Sequence, residues 1–299
     1  MADDPDQERI QVSEGIADAD GPGELGRPPA EAIGRAQVKA PTRGNRKLEA
    51  LLAGINADPE VRGWWHMAQV NSERLGMSDH SWVHVQIVLN IALRLLRLLV
   101  KAGVQPALVA DHAMRSRDSE VVVAAGALLH DVGMSIHRAD HESFSLFLAE
   151  RKLRELLADV YGDAERSVVI AESLHAIIGH RRRGEPYTVE AGVVRVADAL
   201  DLAHGRSRIP VEAGQVGIHA ISAAAIDSID IAAGDDRAVR IAIEMNNSAG
   251  VFQVDDLLAT KLRDTPLAKH VEVIAAVAGE AEKRLLTEFR IGGSAATAD

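Results

Sequence analysis

A mainly α-helical protein, followed by a small α+β domain, is what this sequence predicts, and three observations carry the prediction. From Lys47 to about Ser207 the apolar residues recur with helical spacing and strand signals are absent. After Pro210 the texture changes to alternating apolar and polar residues, in Ala225 to Ala232 and Val239 to Met245, around Gly234-Asp235-Asp236. The first 40 or so residues show neither pattern and are rich in Asp, Glu, Gly, Pro and Ala. The expected organisation is an acidic disordered tail at 1–40, a helical domain at 41–210, an α+β domain at 211–292 and a flexible tail at 293–299.

Within the helical part, Trp82 to Ala102 is a long amphipathic stretch ended by Gly103, a residue suited to a left-handed helix terminus. Asp118 to Leu129 is apolar nearly all round and is expected at the centre of the bundle. Glu142 to Leu157, Ala164 to Ile178 and Glu190 to Ala203 read as three more helices. In the second part, the two alternating runs read as a β-hairpin, Val251 to Leu262 as a helix and Val271 to Val277 as a third strand. The turn "MNNSAGVF" offers Asn247 or Ser248 as a cap for that helix.

The chain has 299 residues and a formal net charge of -11, which argues against binding a nucleic-acid polymer by phosphate neutralisation. It has no cysteine, so disulfides and thiolate catalysis are excluded and any metal must be held by nitrogen and oxygen. No apolar run in Met1 to Pro41 resembles a signal peptide, and Gln86, Asn90, Arg94 and Arg97 interrupt the most apolar stretch. A cytoplasmic location is therefore expected.

The chemistry gathers in five places. They are His84 in "SWVHVQIV", His130-Asp131 in "ALLHDVG", His141 in "ADHESFSLFLAE", His175 and His180 in "SLHAIIGHRRRG", and Asp198 in "VVRVADALDLAHGR". Each is within or next to an apolar helix, where an unpaired charge is costly. Singly, each reads as a satisfied core residue or an ion-pair partner. Together they are an ordered series of imidazoles and carboxylates on successive helices, a donor set that suits borderline first-row cations.

That order resembles the HD-domain superfamily of metal-dependent phosphohydrolases, over roughly Met77 to Arg208. The resemblance implies an HD-type helical bundle with His84, His130, Asp131, His141, His180 and Asp198 as metal ligands. It is closest to branches holding two metals, because His141 and His180 would be surplus in a one-metal site. The metals would be divalent Fe, Mn, Zn, Co or Ni. Met134 stands where many relatives carry a lysine after the pair (HDxGK). The GYP signature of the cyclic-di-GMP hydrolases and the fingerprint of the (p)ppGpp hydrolases are not evident.

The resemblance implies hydrolysis of a phosphate ester of a nucleotide or other small molecule by a metal-activated water, with Asp131 bridging the metals. His175 and His180 are five apart, about 140° round a regular helix, so both reach one site only if the helix ends near Gly179. His180 is the expected ligand, and His175 or His80 the group that protonates the leaving oxygen. Arg181, Arg182 and Arg183, with Arg206 and Arg208, are candidate phosphate contacts, Arg181 and Arg206 foremost; the alternative for each is a solvated turn. Asp201 is expected to orient a ligand histidine or to pair with Arg195 or Arg206. His137 and His204 are supporting groups, and His66, His112, His219 and His270 are surface or packing residues. A homo-oligomer is open. So are two other readings: a nucleotide-sensing module without turnover, and a di-iron oxygenase of the same superfamily.

Overall fold

The helices begin and end where local chemistry demands. In the computed structural model, which describes residues 25–181, 184–201, 222 and 225–278, α1 is Pro29–Arg35, α2 Arg46–Ala57 and α3 Pro59–Arg74. The Asn45 side chain accepts the Leu48 N–H to open α2, and Leu48, Leu51, Leu52 and Ile55 form its buried stripe. Asp58 ends α2 and caps α3, accepting the Glu60 N–H at 2.8 Å and the Val61 N–H at 3.2 Å. Pro59 sits at the first position of α3, where its missing N–H costs nothing.

Helix α4 is Trp82–Lys101, opened by the Ser81 hydroxyl accepting from Val83 N–H. Its end closes on Gly103 at φ 87°. The Gly103 N–H bonds Val100 and the Val104 N–H bonds Leu99, each at 3.0 Å. By length and composition α4 could cross a membrane, yet 61% of its apolar window is buried inside the protein. It is a core helix of the bundle. After the short α5 (Ala107–Ala110), α6 runs Ser116–Leu129 and is buried on every side from Val121 onward. It lies against α4, against α8 (Asp163–Gly179) and against α9 (Val189–Ala199). At Gly126 a Cβ would stand 3.0 Å from both Ala176 and Val194, so glycine lets the three helices approach without displacing either side chain. Helix α7 is His141–Leu156, reached from α6 by a 3-10 turn, Val132–Ser135.

Strands β1 (Ile226–Ala233), β2 (Val239–Met245) and β3 (Val271–Val277) make one sheet in that order. β1 and β2 form the expected hairpin; β3 joins the far edge of β2 in parallel, with Val239 opposite Val271. The sheet is not walled off. Ile229, Ile231, Ile241 and Ile243 belong to the same buried cluster as the helices, and Arg94 of α4 donates to the Ile231 carbonyl at 2.5 Å.

One of these expectations needs correction. The tail assigned to 1–40 is structured from residue 25 onward where it is described: α1 forms, and Ala32, Ala36 and Val38 are buried. Asn56 satisfies both backbone groups of Val38, at 2.9 Å and 2.8 Å, and Gln86 takes the Lys39 N–H at 2.8 Å. Side chains of the bundle thus supply partners that the aperiodic segment lacks within itself. The helix expected over Val251 to Leu262 is present, continuous over 251–263, with a π-helical centre (Gln253–Ala259) and a closing α-turn (Thr260–Arg263); a 3-10 turn (Ser248–Gly250, capped by Asn247) precedes it. The boundary at 210 and the tail at 293–299 lie outside the described residues.

Candidate metal centre

Three backbone devices bring the polar side chains together. The first is the junction of α6 and α7. Ser145 donates its hydroxyl to the His130 carbonyl at 2.6 Å and accepts the Gly133 N–H at 2.9 Å. Gly133 lies so close to α7 that a Cβ there would meet the His141 carbonyl at 2.0 Å. Asn71 of α3 holds the Met134 carbonyl at 2.8 Å and the Ser135 carbonyl at 3.2 Å. His130, Asp131 and His141 are thereby fixed side by side, and Met134 is fully buried. The second device is the end of α8 at Gly179, which turns His180 inward as the helix cap. The third is Arg195 of α9. Its Nη1 donates to the carbonyls of Gly179, Arg181 and Gly184 at 3.1, 2.5 and 2.7 Å, pinning the loop that carries His180.

Asp131 stands at the middle. Its Oδ2 is 3.6 Å from His84 Nε2 and 3.3 Å from His130 Nε2. Its Oδ1 is 3.1 Å from His141 Nε2 and 3.5 Å from His180 Nε2. Asp198 Oδ1 closes the first group, 3.6 Å from His84 Nε2 and 3.8 Å from His130 Nε2. Two buried triads result, His84–His130–Asp198 and Asp131–His141–His180, in each of which the donor atoms lie within 4.8 Å of one another.

The ring nitrogens facing away fix the tautomers. His84 Nδ1 is 2.5 Å from Asp201 Oδ2, His130 Nδ1 is 2.8 Å from the Ala127 carbonyl, and His180 Nδ1 is 2.5 Å from the Ile177 carbonyl. His141 Nδ1 has the Arg138 carbonyl at 3.1 Å and Glu142 Oε2 at 3.2 Å, with the Arg138 guanidinium at 2.8 Å. A neutral imidazole that donates through Nδ1 carries its lone pair on Nε2. The lone pairs of His84 and His130 then face each other across 3.2 Å, an arrangement that repels unless a cation shares them. The donor set fits a pair of borderline divalent cations, with Asp131 offering one oxygen to each side.

Burial alone would raise the Asp131 carboxyl, but His130, His141 and His180 together hold it well below the usual carboxylate range. Burial would lower His141, but Asp131 raises it above its ordinary value. Burial prevails at His180, which is lowered. Asp131 is therefore a carboxylate at neutral pH, as a ligand must be.

All six expected ligands converge, and Asp201 orients His84 rather than pairing with Arg195. His80 is buried beside them, with Nε2 3.9 Å from Asp131 Oδ2 and Nδ1 2.7 Å from the Ser78 carbonyl. His175 is a correction. It leaves the centre, stacks on Tyr187 with ring centroids 4.9 Å apart, and uses Nε2 to accept the Tyr187 N–H at 2.9 Å. Five residues of helix before His180 point it elsewhere. Arg181 follows His180 but its side chain is exposed. Arg182, Arg183, His204, Arg206, Arg208 and His219 lie outside the described residues. His137 and His270 are off the site, and His112 pairs with Glu172 at 3.7 Å.

Three residues escaped the sequence reading. Ser145 had a signal, since it follows His141 by one helical turn and so shares its face. Arg195 was seen only as a possible partner of Asp201. Lys261, whose Nζ contacts Asp198 Oδ2, had none: it comes from the crossover between β2 and β3, in a stretch without motif.

A family model described as HD domain matches residues 78–203, which include all six expected ligands. The chain is 38% identical over 218 residues to an uncharacterized protein of Methanocaldococcus jannaschii, covering 73% of this chain and 83% of that protein. No solved structure matches.

Proposed function

We propose a function from the premise that this chain belongs to the HD-domain superfamily of metal-dependent phosphohydrolases: it hydrolyses a phosphate ester of a nucleotide or other small molecule at a two-metal centre. The observation that carries this is the division of Asp131 between two triads, one oxygen facing His84 and His130 and the other facing His141 and His180. His84, His130 and Asp198 would hold one cation; His141 and His180 would hold the other, and Asp131 would join them. Two divalent cations, when bound, would neutralise phosphate charge, acidify a water and stabilise the leaving oxygen.

The chain's own groups do the rest. Asp201 and the Ala127 and Ile177 carbonyls keep Nε2 of three histidines unprotonated and aimed inward. His80 is the further imidazole at the rim, suited to holding or passing a proton where a leaving group departs. The net negative charge favours a small substrate over a nucleic-acid polymer, and the expected setting is the cytoplasm.

The test is to load the protein with Mn, Fe, Zn, Co or Ni and follow phosphate release from nucleotide and non-nucleotide mono- and diesters, under air and under argon. Metal-dependent release that ignores oxygen and disappears in Asp131→Ala is expected. Release with none of the metals, or a product that needs oxygen, overturns the assignment.

A further inference from the structure

The second oxygen of Asp198 is taken by a lysine from outside the HD-domain match. Lys261 lies in the α-turn Thr260–Arg263, 63 residues along the chain from Asp198, beyond the matched residues 78–203. While Asp198 Oδ1 faces His84 and His130, Oδ2 receives the Lys261 ammonium. The backbone beneath Lys261 is held from the same helix, because Arg195 Nε donates to its carbonyl at 2.9 Å. The same arginine pins the loop carrying His180. Nearby, Leu267 packs so tightly on α9 that a Cβ at Gly192 would come within 2.6 Å of it. The segment is seated on the centre, and the lysine is delivered to it by design of the packing.

We propose that Lys261 is a substrate-phosphate contact contributed to the metal centre by the C-terminal part of the chain; this rests on the two-metal reading above. An ammonium beside a carboxylate that also ligates a divalent cation is a like-charge neighbour of that cation. The repulsion is relieved when an anion enters between them. Lys261 carries a flexible stem with rotatable donors, and its side chain is partly open to solvent, so the ammonium can turn from Oδ2 towards an arriving phosphate oxygen. Among the described residues, the one arginine read from sequence as a phosphate contact, Arg181, is exposed. The C-terminal α+β part thus supplies a piece of the site.

The experiment measures two bindings, not turnover. Mn²⁺ is titrated calorimetrically into wild type, Lys261→Met and Lys261→Arg, and inorganic phosphate is then titrated into the Mn-loaded proteins. Lys261→Met should keep wild-type Mn stoichiometry and lose phosphate affinity by about 10-fold or more, the worth of a hydrogen bond between charged groups. Lys261→Arg should recover most of it. Unchanged phosphate affinity in Lys261→Met overturns the inference. So does a fall in Mn stoichiometry, which would make Lys261 only a support for Asp198. A wild-type protein that takes up neither Mn nor any of Fe, Zn, Co and Ni overturns the two-metal reading itself, and this inference with it.

Discussion

Asp201 Oδ2 lies 2.5 Å from His84 Nδ1, deep in the bundle and 117 residues away in sequence. The contact sets the tautomer of His84 and leaves its Nε2 lone pair to the first triad. Asp198, three residues earlier on the same chain segment, donates its oxygen to that triad directly. The two carboxylates should therefore respond differently to loss of charge. Asp198→Asn should strip the first cation and abolish turnover. Asp201→Asn should weaken metal binding about 10–100-fold, with full occupancy restored at high metal concentration. Metal titration followed by assay at saturating metal separates them; the reverse pattern would show that Asp201 is the ligand.

Gly133 concerns the scaffold of the same centre. Its ideal Cβ would sit 2.0 Å from the His141 carbonyl and 2.6 Å from the Ser145 nitrogen, both main-chain atoms that cannot swing aside. Gly133→Ala should push the 3-10 turn off α7, costing on the order of 1–3 kcal/mol or more as overpacking does, and should separate His141 from Asp131. A lower unfolding midpoint together with loss of one metal equivalent is expected. Wild-type values for both would mean that the junction is softer than its close contacts imply.

The six candidate ligands were legible because they break a rule. Histidine and aspartate inside apolar helices conflict with burial, and six such conflicts in order on successive helices have one economical resolution. The helices were legible from periodicity and caps, and the hairpin from alternation. What stayed hidden depends on distant packing. Nothing local in Lys261 marks it as a neighbour of Asp198. Val38 gains its partners from the Asn56 side chain, and Lys39 its partner from Gln86, only once α2 and α4 are assembled. For that reason residues 25–40 are not a dispensable extension, and deleting residues 1–40 should lower thermal stability measurably. An unchanged melting temperature would show that the α1 contacts carry no weight.

Lys152 offers a test far from the metals. Its buried ammonium meets Asp58, Glu60 and Glu155 at 2.7, 2.8 and 2.7 Å. Burial alone would raise Asp58, but Lys152 and the Glu60 and Val61 N–H groups hold it below its ordinary value. A carboxyl lowered on folding contributes stability that is full above the unfolded value near 4 and is lost as pH falls through the folded one. Acid should therefore unfold the metal-free protein partly through this cluster. Glu60 and Glu155 are half exposed and screened, so Lys152→Met should cost about 1–2 kcal/mol at neutral pH and flatten the acid limb of the stability profile. Parallel acid limbs in the two proteins would remove this cluster from the account.

His80 and His175 exchange the roles that spacing alone left open. His80 keeps its Nδ1 on the Ser78 carbonyl and turns Nε2 towards Asp131, while His175 spends its Nε2 on the Tyr187 main chain. An imidazole that already accepts a main-chain hydrogen bond has no lone pair left for a reacting proton. His175→Ala should leave metal content intact and alter turnover little, beyond the small effect of freeing Tyr187. His80→Ala should also keep the metals, since the six candidate ligands remain, but turnover should fall by about 10²–10⁴, the usual worth of a positioned acid or base. A substrate whose leaving group needs no proton, such as a nitrophenyl ester, should recover much of that loss. If nitrophenyl and alkyl phosphate esters suffer equally in His80→Ala, the residue is shaping the pocket and moving no proton.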